Sequence, residues 1–221
     1  MQNIPKYVLV KEFLVDGPEE ASHLLVLAHG AGAGMATPFM DFIAHGVAAA
    51  AIRVVRFHFP YMEESVRTGR KKPPDGGDIL RACFSEVIEH CLDRERCPRD
   101  RLVIGGKSMG GRMATLIADE HRVAGAVCLG YPFHAPRQPE RLRTGHLVNL
   151  HTPTLICQGE RDPFGPRDEV SGYRLSPAIR IHWIADGNHD FTPRKSSGRS
   201  EEQNLRDAAQ ATVEFIQQLK A

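Results

Sequence analysis

The sequence predicts an α/β fold, a mostly parallel sheet of about seven strands with helices on both faces. Three observations carry that expectation. Short, β-branched, apolar runs alternate with helical patterns along the whole chain. Several of those runs are continuously apolar, as strands covered on both faces should be. The 221 residues suit one domain, spanning 1–221, that buries about 70% of its unfolded surface.

Taken in order, the first strand run is KYVLVKEFL (6–14) and the second HLLVLAH (23–29). A helix is expected within 36–50, before the third run, IRVVRFHF (52–59). PYMEESVRTGRKKPPDGG (60–77) reads as a long loop. Leu80, Cys83, Phe84, Val87, Ile88, Cys91 and Leu92 then repeat at helical spacing and form one apolar stripe. RLVIGG (101–106) is a strand and 109–121 a helix, followed by RVAGAVCLG (122–130). YPFHAPRQPERLRTGHL (131–147) is a second long loop, with room for a short helix. TPTLICQG (152–159) and IRIHWIA (179–185) complete the strands, and TPRKSSGRS (192–200) is a third loop. The last helix begins near Ser200, where Ser200-x-x-Gln203 reads as a capping box. Its core face is Leu205, Ala208, Ala209, Thr212, Val213, Ile216 and Leu219. In such sheets function sits on the loops at the carboxyl ends of strands, and all three long loops follow strand runs.

Composition narrows the function classes. Hydrophobic residues are 42%, charged residues 25%, and the net charge is +1. Nothing in that balance points to nucleic acid or an anionic membrane. No apolar run approaches the roughly 20 residues of a membrane span. MQNIPKYVLVKEF lacks the regions of a signal peptide, so a cytoplasmic protein is expected. Cys83, Cys91, Cys97, Cys128 and Cys157 are scattered, with no CxxC, and read as reduced thiols that mostly pack the core. No His/Cys spacing suggests zinc, and neither a metal nor another cofactor is expected.

The chemistry is concentrated in RLVIGGKSMGGRMA (101–114). Gly106-Lys107-Ser108 matches the tail of a phosphate loop, but the leading glycine would fall on Arg101 and the intervening residues are strand-like. Gly106-Lys107-Ser108-Met109-Gly110 fits G-x-S-x-G between a strand and a helix. That is a nucleophile elbow, a strained turn that lifts a serine hydroxyl clear of the sheet. An elbow of the α/β-hydrolase kind requires an acid after a later strand and a histidine after the next. Asp162 follows TPTLICQG and His189 follows IRIHWIA, in the required order. Glu160 is the rival acid. Asp186 and Asp190, beside His189, read as loop residues, and His29 as structural. The oxyanion hole should use the Met109 amide and one from HGAGAG (29–34), with Ala31 preferred and Gly32 the alternative. His58 and His134 join Gly32 as candidate pocket residues, and Lys107 should reach solvent or pack on the elbow.

Several stretches jointly resemble a compact, dienelactone-hydrolase-like branch of the α/β-hydrolase superfamily: HGAGAGM, FHFPYM, KPPD, GGKSMGGRMA, GYPFHAP, QGERDPFG and DGNHDFTPRK. That branch groups small bacterial hydrolases with a testis-expressed mammalian protein and a domain of a chromatin acetyltransferase-complex subunit. The resemblance implies a serine hydrolase with Ser108, Asp162 and His189 as triad. The first 100 residues and the strand loops leave little spare sequence, so no large lid is expected. True dienelactone hydrolases use a cysteine nucleophile, so serine at 108 counts against dienelactone as substrate. A small or medium acyl ester is the expected partner. A thioester, a peptide or a C–C bond is the enzymatic alternative, and a non-catalytic interaction module the other class. Arg67, Arg70, Lys71, Lys72, Arg137, Arg141, Arg143, Arg194 and Lys195 crowd the three loops. They form either a solvated surface or a rim that attracts acidic acyl groups.

Overall fold

The computed structural model describes residues 12–95, 97–135 and 137–219. Its centre is a seven-stranded sheet made of β1 (Phe13–Asp16), β2 (Leu24–Ala28), β3 (Arg53–Phe57), β4 (Leu102–Lys107), β5 (Gly125–Leu129), β8 (Thr154–Gly159) and β9 (Ile179–Ile184). Strand order is β1-β3-β2-β4-β5-β8-β9. β1 is antiparallel to β3 and every other pairing is parallel. The seven expected strands are all present. Residues 6–11 of the first run lie outside the described residues, and its strand occupies Phe13–Asp16.

Side chains alternate across the sheet with the two-residue period of a strand. Leu24, Val26 and Ala28 face one layer, with Phe84, Ile88 and Met113, while Leu25 and Leu27 face the other, with Ile43, Val47 and Ala208. The first layer holds α3 (Gly77–Arg94) and α4 (Met109–His121), and the second α1 (Pro38–Ala48) and α6 (Glu201–Gln218). The stripe on α3 is buried from Leu80 to Cys91, and Phe84→Ala there would remove about 3–5 kcal/mol. Ser200 opens α6 with a complete capping box. Gln203 N–H donates to Ser200 Oγ (3.2 Å) and Ser200 N–H to Gln203 Oε1 (2.8 Å).

The long loops differ from expectation. Residues 60–77 contain α2 (Pro60–Thr68), begun by proline in its first turn and ended by Gly69 at φ 67°. Residues 131–147 hold a hairpin, β6 (His134–Ala135) with β7 (Gln138–Leu142), and then a 3-10 turn at Gly145–Asn149. A last short helix, α5 (Arg167–Val170), follows β8. No separate lid covers the sheet's carboxyl edge among the described residues.

Edge strand β1 is fastened by charge. Arg56 of β3 is 3% exposed and donates to Asp16 (2.9 Å), to Asp41 and to the Met35 carbonyl (2.9 Å). A guanidinium this deep requires such carboxylates.

Candidate active site

β4 passes into α4 through Ser108, whose φ of 50° and ψ of −112° lie outside the regions favoured by L-residues. The turn closes only because its flanks are glycine. A Cβ on Gly106 would lie 2.5 Å from the Ala28 carbonyl oxygen, and one on Gly110 2.6 Å from the same atom. Ser108 N–H donates to the Leu129 carbonyl (2.9 Å), tying the turn to β5.

His189, on the loop after β9, meets this serine. Its Nε2 is 2.9 Å from Ser108 Oγ, and its Nδ1 is 2.8 Å from Asp162 Oδ2. A carboxylate only accepts, so Nδ1 carries the proton and Nε2 is free to accept from the hydroxyl. Asp162 follows β8 and is fully buried. Its Oδ2 also accepts from Gln158 Nε2 (3.1 Å), and its Oδ1 from Phe164 N–H (2.8 Å). The structure therefore brings Ser108, Asp162 and His189 into one hydrogen-bonded line at the carboxyl edge.

Glu160 turns elsewhere. It pairs with Arg167 (2.6 Å) and accepts from Asp186 N–H (2.9 Å), which holds its carboxyl below the usual range. Asp186 pairs with Arg161 (2.9 Å) and Arg194, away from the imidazole. Lys107 packs behind the elbow. It is 8% exposed, donates to the His189 carbonyl, pairs with Asp190 (2.9 Å) and lies 4.7 Å above the Phe39 ring. Burial lowers its pKa against the opposing pull of Asp190.

The 29–34 loop runs beside the serine, since a Cβ on Gly30 would sit 3.7 Å from Ser108 Cβ. His29 is fully buried, and its Nδ1 meets the Gly30 carbonyl (2.7 Å) while Nε2 accepts from Phe59 N–H (3.0 Å). Both bonds require the neutral ring, and burial lowers its pKa to about 4. Tyr61 hydroxyl lies 3.1 Å from the Gly30 carbonyl and 3.2 Å from that of Ala31. Ala31 and Gly32 are exposed at the loop tip. Met109 is the first residue of α4, so its N–H has no acceptor within the helix.

The other candidates divide. His58 packs under the loop, where a Cβ on Gly34 would meet its Nε2 at 2.5 Å. His134 is 4% exposed, with Nδ1 2.9 Å from the Ala135 carbonyl and Nε2 3.5 Å from Glu169. It stands behind Phe164, whose ring meets His189 edge-on at 4.6 Å. In the basic rim, Lys72 and Arg194 are already paired, with Glu64 and Asp186. No cluster of three metal-ligating side chains occurs among the described residues. A surface groove of about 410 Å³ near Pro153, Ala178, Arg180 and Leu219 lies at the sheet's amino edge and shares no residue with this site.

A family model for an alpha/beta hydrolase domain matches residues 21–217. The chain belongs to the α/β-hydrolase family. Solved structures agree in fold. A dienelactone hydrolase from Anabaena variabilis is 21% identical, with a TM-score of 0.72 over 97% of this chain and 96% of its own. A lid-less α/β serine hydrolase from Xanthomonas campestris is 19% identical, with a TM-score of 0.70 over 95% and 89%. An α/β serine hydrolase homologue from Coxiella burnetii is 16% identical, with a TM-score of 0.70 over 94% and 98%.

Sequence reasoning missed two supports of this site, Gln158 and Tyr61, while of the two courses expected for Lys107 the structure has the one packed on the elbow. Gln158 carried a usable signal, since it is a polar residue in a run otherwise apolar enough for the sheet centre.

Proposed function

We propose that this hydrolase is a carboxylesterase-like enzyme that cleaves small or medium acyl esters, with Ser108 as nucleophile, His189 as base and Asp162 as orienting acid. The observation that carries the reading is the continuous bond line from Ser108 Oγ through His189 to Asp162, at 2.9 and 2.8 Å.

Ser108 Oγ attacks the acyl carbonyl as its proton passes to His189 Nε2. The carbonyl π bond becomes an oxyanion, which accepts from the amides of Met109 and Ala31, with Gly32 as the neighbouring alternative. Collapse of that intermediate breaks the bond to the leaving alkoxide, which takes the proton from His189. Water, deprotonated by the same imidazole, then attacks the acyl-serine; the C–Oγ bond breaks, Ser108 Oγ takes the proton back from His189, and the carboxylic acid leaves. Tyr61 and His29 hold the carbonyls of the 29–31 loop, so the amide donors are fixed before substrate arrives. Each such donor accounts for about 2.7–4 kcal/mol of barrier. An open carboxyl edge suits acyl groups that need no lid. Among proteins of similar fold, Est1E from Butyrivibrio proteoclasticus has been solved with ferulic acid bound.

A fluorophosphonate probe tests the reading. Native protein should label at Ser108, read by peptide mass spectrometry, while heat-denatured protein and Ser108→Ala should not. A folded protein that takes no label would leave a non-catalytic module as the account.

A further inference from the structure

Phe164 lies on the short loop between β8 and α5, just past Asp162. Of the chain's 10 phenylalanines it alone, among the described residues, packs in neither apolar layer of the core. Its half-buried ring meets two imidazoles instead, His189 edge-on with centroids 4.6 Å apart and His134 at 6.5 Å. Tyr131, Phe133 and Phe191, on the loops around the same triad, are sealed.

The loop fixes this ring at the edge. Phe164 N–H donates to Asp162 Oδ1 (2.8 Å), and its carbonyl accepts from Phe133 N–H (2.8 Å). Gly165, at φ 149°, lets the chain pass the Phe133 ring, where a Cβ would stand 2.6 Å from Cδ2. Phe133 thus takes the core position beside this loop. Behind Phe164 the polar groups satisfy one another. His134 Nδ1 is 2.9 Å from the Ala135 carbonyl and its Nε2 3.5 Å from Glu169, whose carboxylate also accepts from the Tyr173 hydroxyl. The surface that the Phe164 ring keeps open is therefore apolar, and it borders the imidazole.

Position decides what that surface meets. Gly130 covers the Nδ1–Cε1 side of His189, since a Cβ there would lie 3.3 Å from Nδ1 and 3.4 Å from Cε1. Nε2 faces Ser108 Oγ at 2.9 Å, and a leaving oxygen must come within about 3 Å of this nitrogen to take its proton. In the proposed reaction the carbonyl oxygen goes to the amides of Met109 and the 29–31 loop, which leaves the His189 side for the alcohol. A flat apolar group on that alcohol would cover ring surface that water otherwise wets, in the edge or offset geometry aromatic rings favour.

We propose that Phe164 is the wall of the leaving-group side, and that the preferred substrates are esters of alcohols that carry an aromatic ring. This rests on the assignment of Ser108 as nucleophile and His189 as base.

The test compares benzyl butyrate with propyl butyrate, which share an acyl group and release alcohols of similar acidity, by titration of the acid formed. Wild type should favour the benzyl ester in kcat/KM by about tenfold or more. Phe164→Ala should cut the benzyl-to-propyl ratio about tenfold, mainly through KM, and Phe164→Leu about threefold, while Phe164→Trp should keep it. A ring that only steadied His189 would slow both esters alike and leave the ratio unmoved. Circular dichroism checks folding, and the leucine variant keeps apolar cover over the loop. A wild-type ratio near one, or a ratio unmoved in both the alanine and leucine variants, overturns the wall while leaving the esterase reading intact. Absence of Ser108 labelling together with absence of turnover on both esters overturns both.

Discussion

Replacing Gln158 by methionine keeps the volume and removes the amide from the centre of the acid's support. Gln158 is fully buried, and its Oε1 accepts from Tyr131 N–H at 2.8 Å. Its Nε2 reaches Asp162 Oδ2 (3.1 Å), the Gly165 carbonyl (3.1 Å) and the Tyr131 carbonyl (3.3 Å). The variant leaves Tyr131 N–H without an acceptor, a loss of about 1–3 kcal/mol. The Tyr131 carbonyl still receives Phe133 N–H at 3.1 Å, so its loss is minor. Asp162 keeps two donors and forfeits a charge-assisted bond of about 1.5–3 kcal/mol. The thioether returns about 1 kcal/mol by burial of apolar surface. The net is a destabilisation of about 3 kcal/mol, and about 2–4 °C per kcal/mol places the Tm fall near 6–12 °C. A looser Asp162 holds the imidazole less well, so kcat should drop about tenfold with KM little changed. Thermal unfolding by circular dichroism and initial rates on a nitrophenyl ester read both effects. A Tm within about 2 °C of wild type, or a stable variant with undiminished kcat, would refute the reasoning.

Ser108→Gly should abolish fluorophosphonate labelling and yet raise the Tm, because glycine adopts φ 50° without the roughly 1 kcal/mol or more that serine bears there; a lowered Tm would sink the strain argument. Lys107→Met leaves the Asp190 carboxylate unpaired beside His189, so kcat should fall about tenfold. Lys107→Met with Asp190→Asn should return part of the rate, and an undiminished kcat in the single variant would remove Lys107 from the positioning network. His29 is neutral when folded, with a pKa of about 4, and unfolds to an ordinary histidine near 6.5. The unfolded chain therefore binds the extra proton, so stability is full above about pH 6.5 and declines as pH falls toward 4. His29 alone contributes up to about 3 kcal/mol of that decline, and His146 acts in the same window. Urea midpoints measured from pH 7 to pH 4 should show the slope, and His29→Asn should flatten it.

The parts legible in the sequence are those written in local pattern. GKSMG between an apolar run and a helix specifies a turn that only glycine flanks permit. QGERD and DGNHD follow strand runs, so a parallel sheet carries Asp162 and His189 to the edge where Ser108 stands. The supports were not legible because they act through space. Tyr61 reaches the 29–31 loop from thirty residues away, and Lys107 turns inward only because Phe39, Phe191 and Asp190 converge there. Helix α2 reads as loop in the sequence because Tyr61 is its one buried residue, too few for an apolar stripe. Its Pro60 and Gly69 were the available signs of a start and a stop. The β6–β7 hairpin hid in the same way, since β7 is exposed throughout and has no alternation to read.

The contact of Gly106 and Gly110 with Ala28 has a consequence for how this enzyme could change. Neither position admits even a methyl group, so the elbow is closed to mutation on both flanks. Variation must enter through the tips, where a side chain at Gly32 or Gly145 would meet nothing within 4 Å. A library confined to 31–33, 70–72 and 137–146 would vary the rim while leaving the turn untouched. One spread over 104–111 would return mostly unfolded protein.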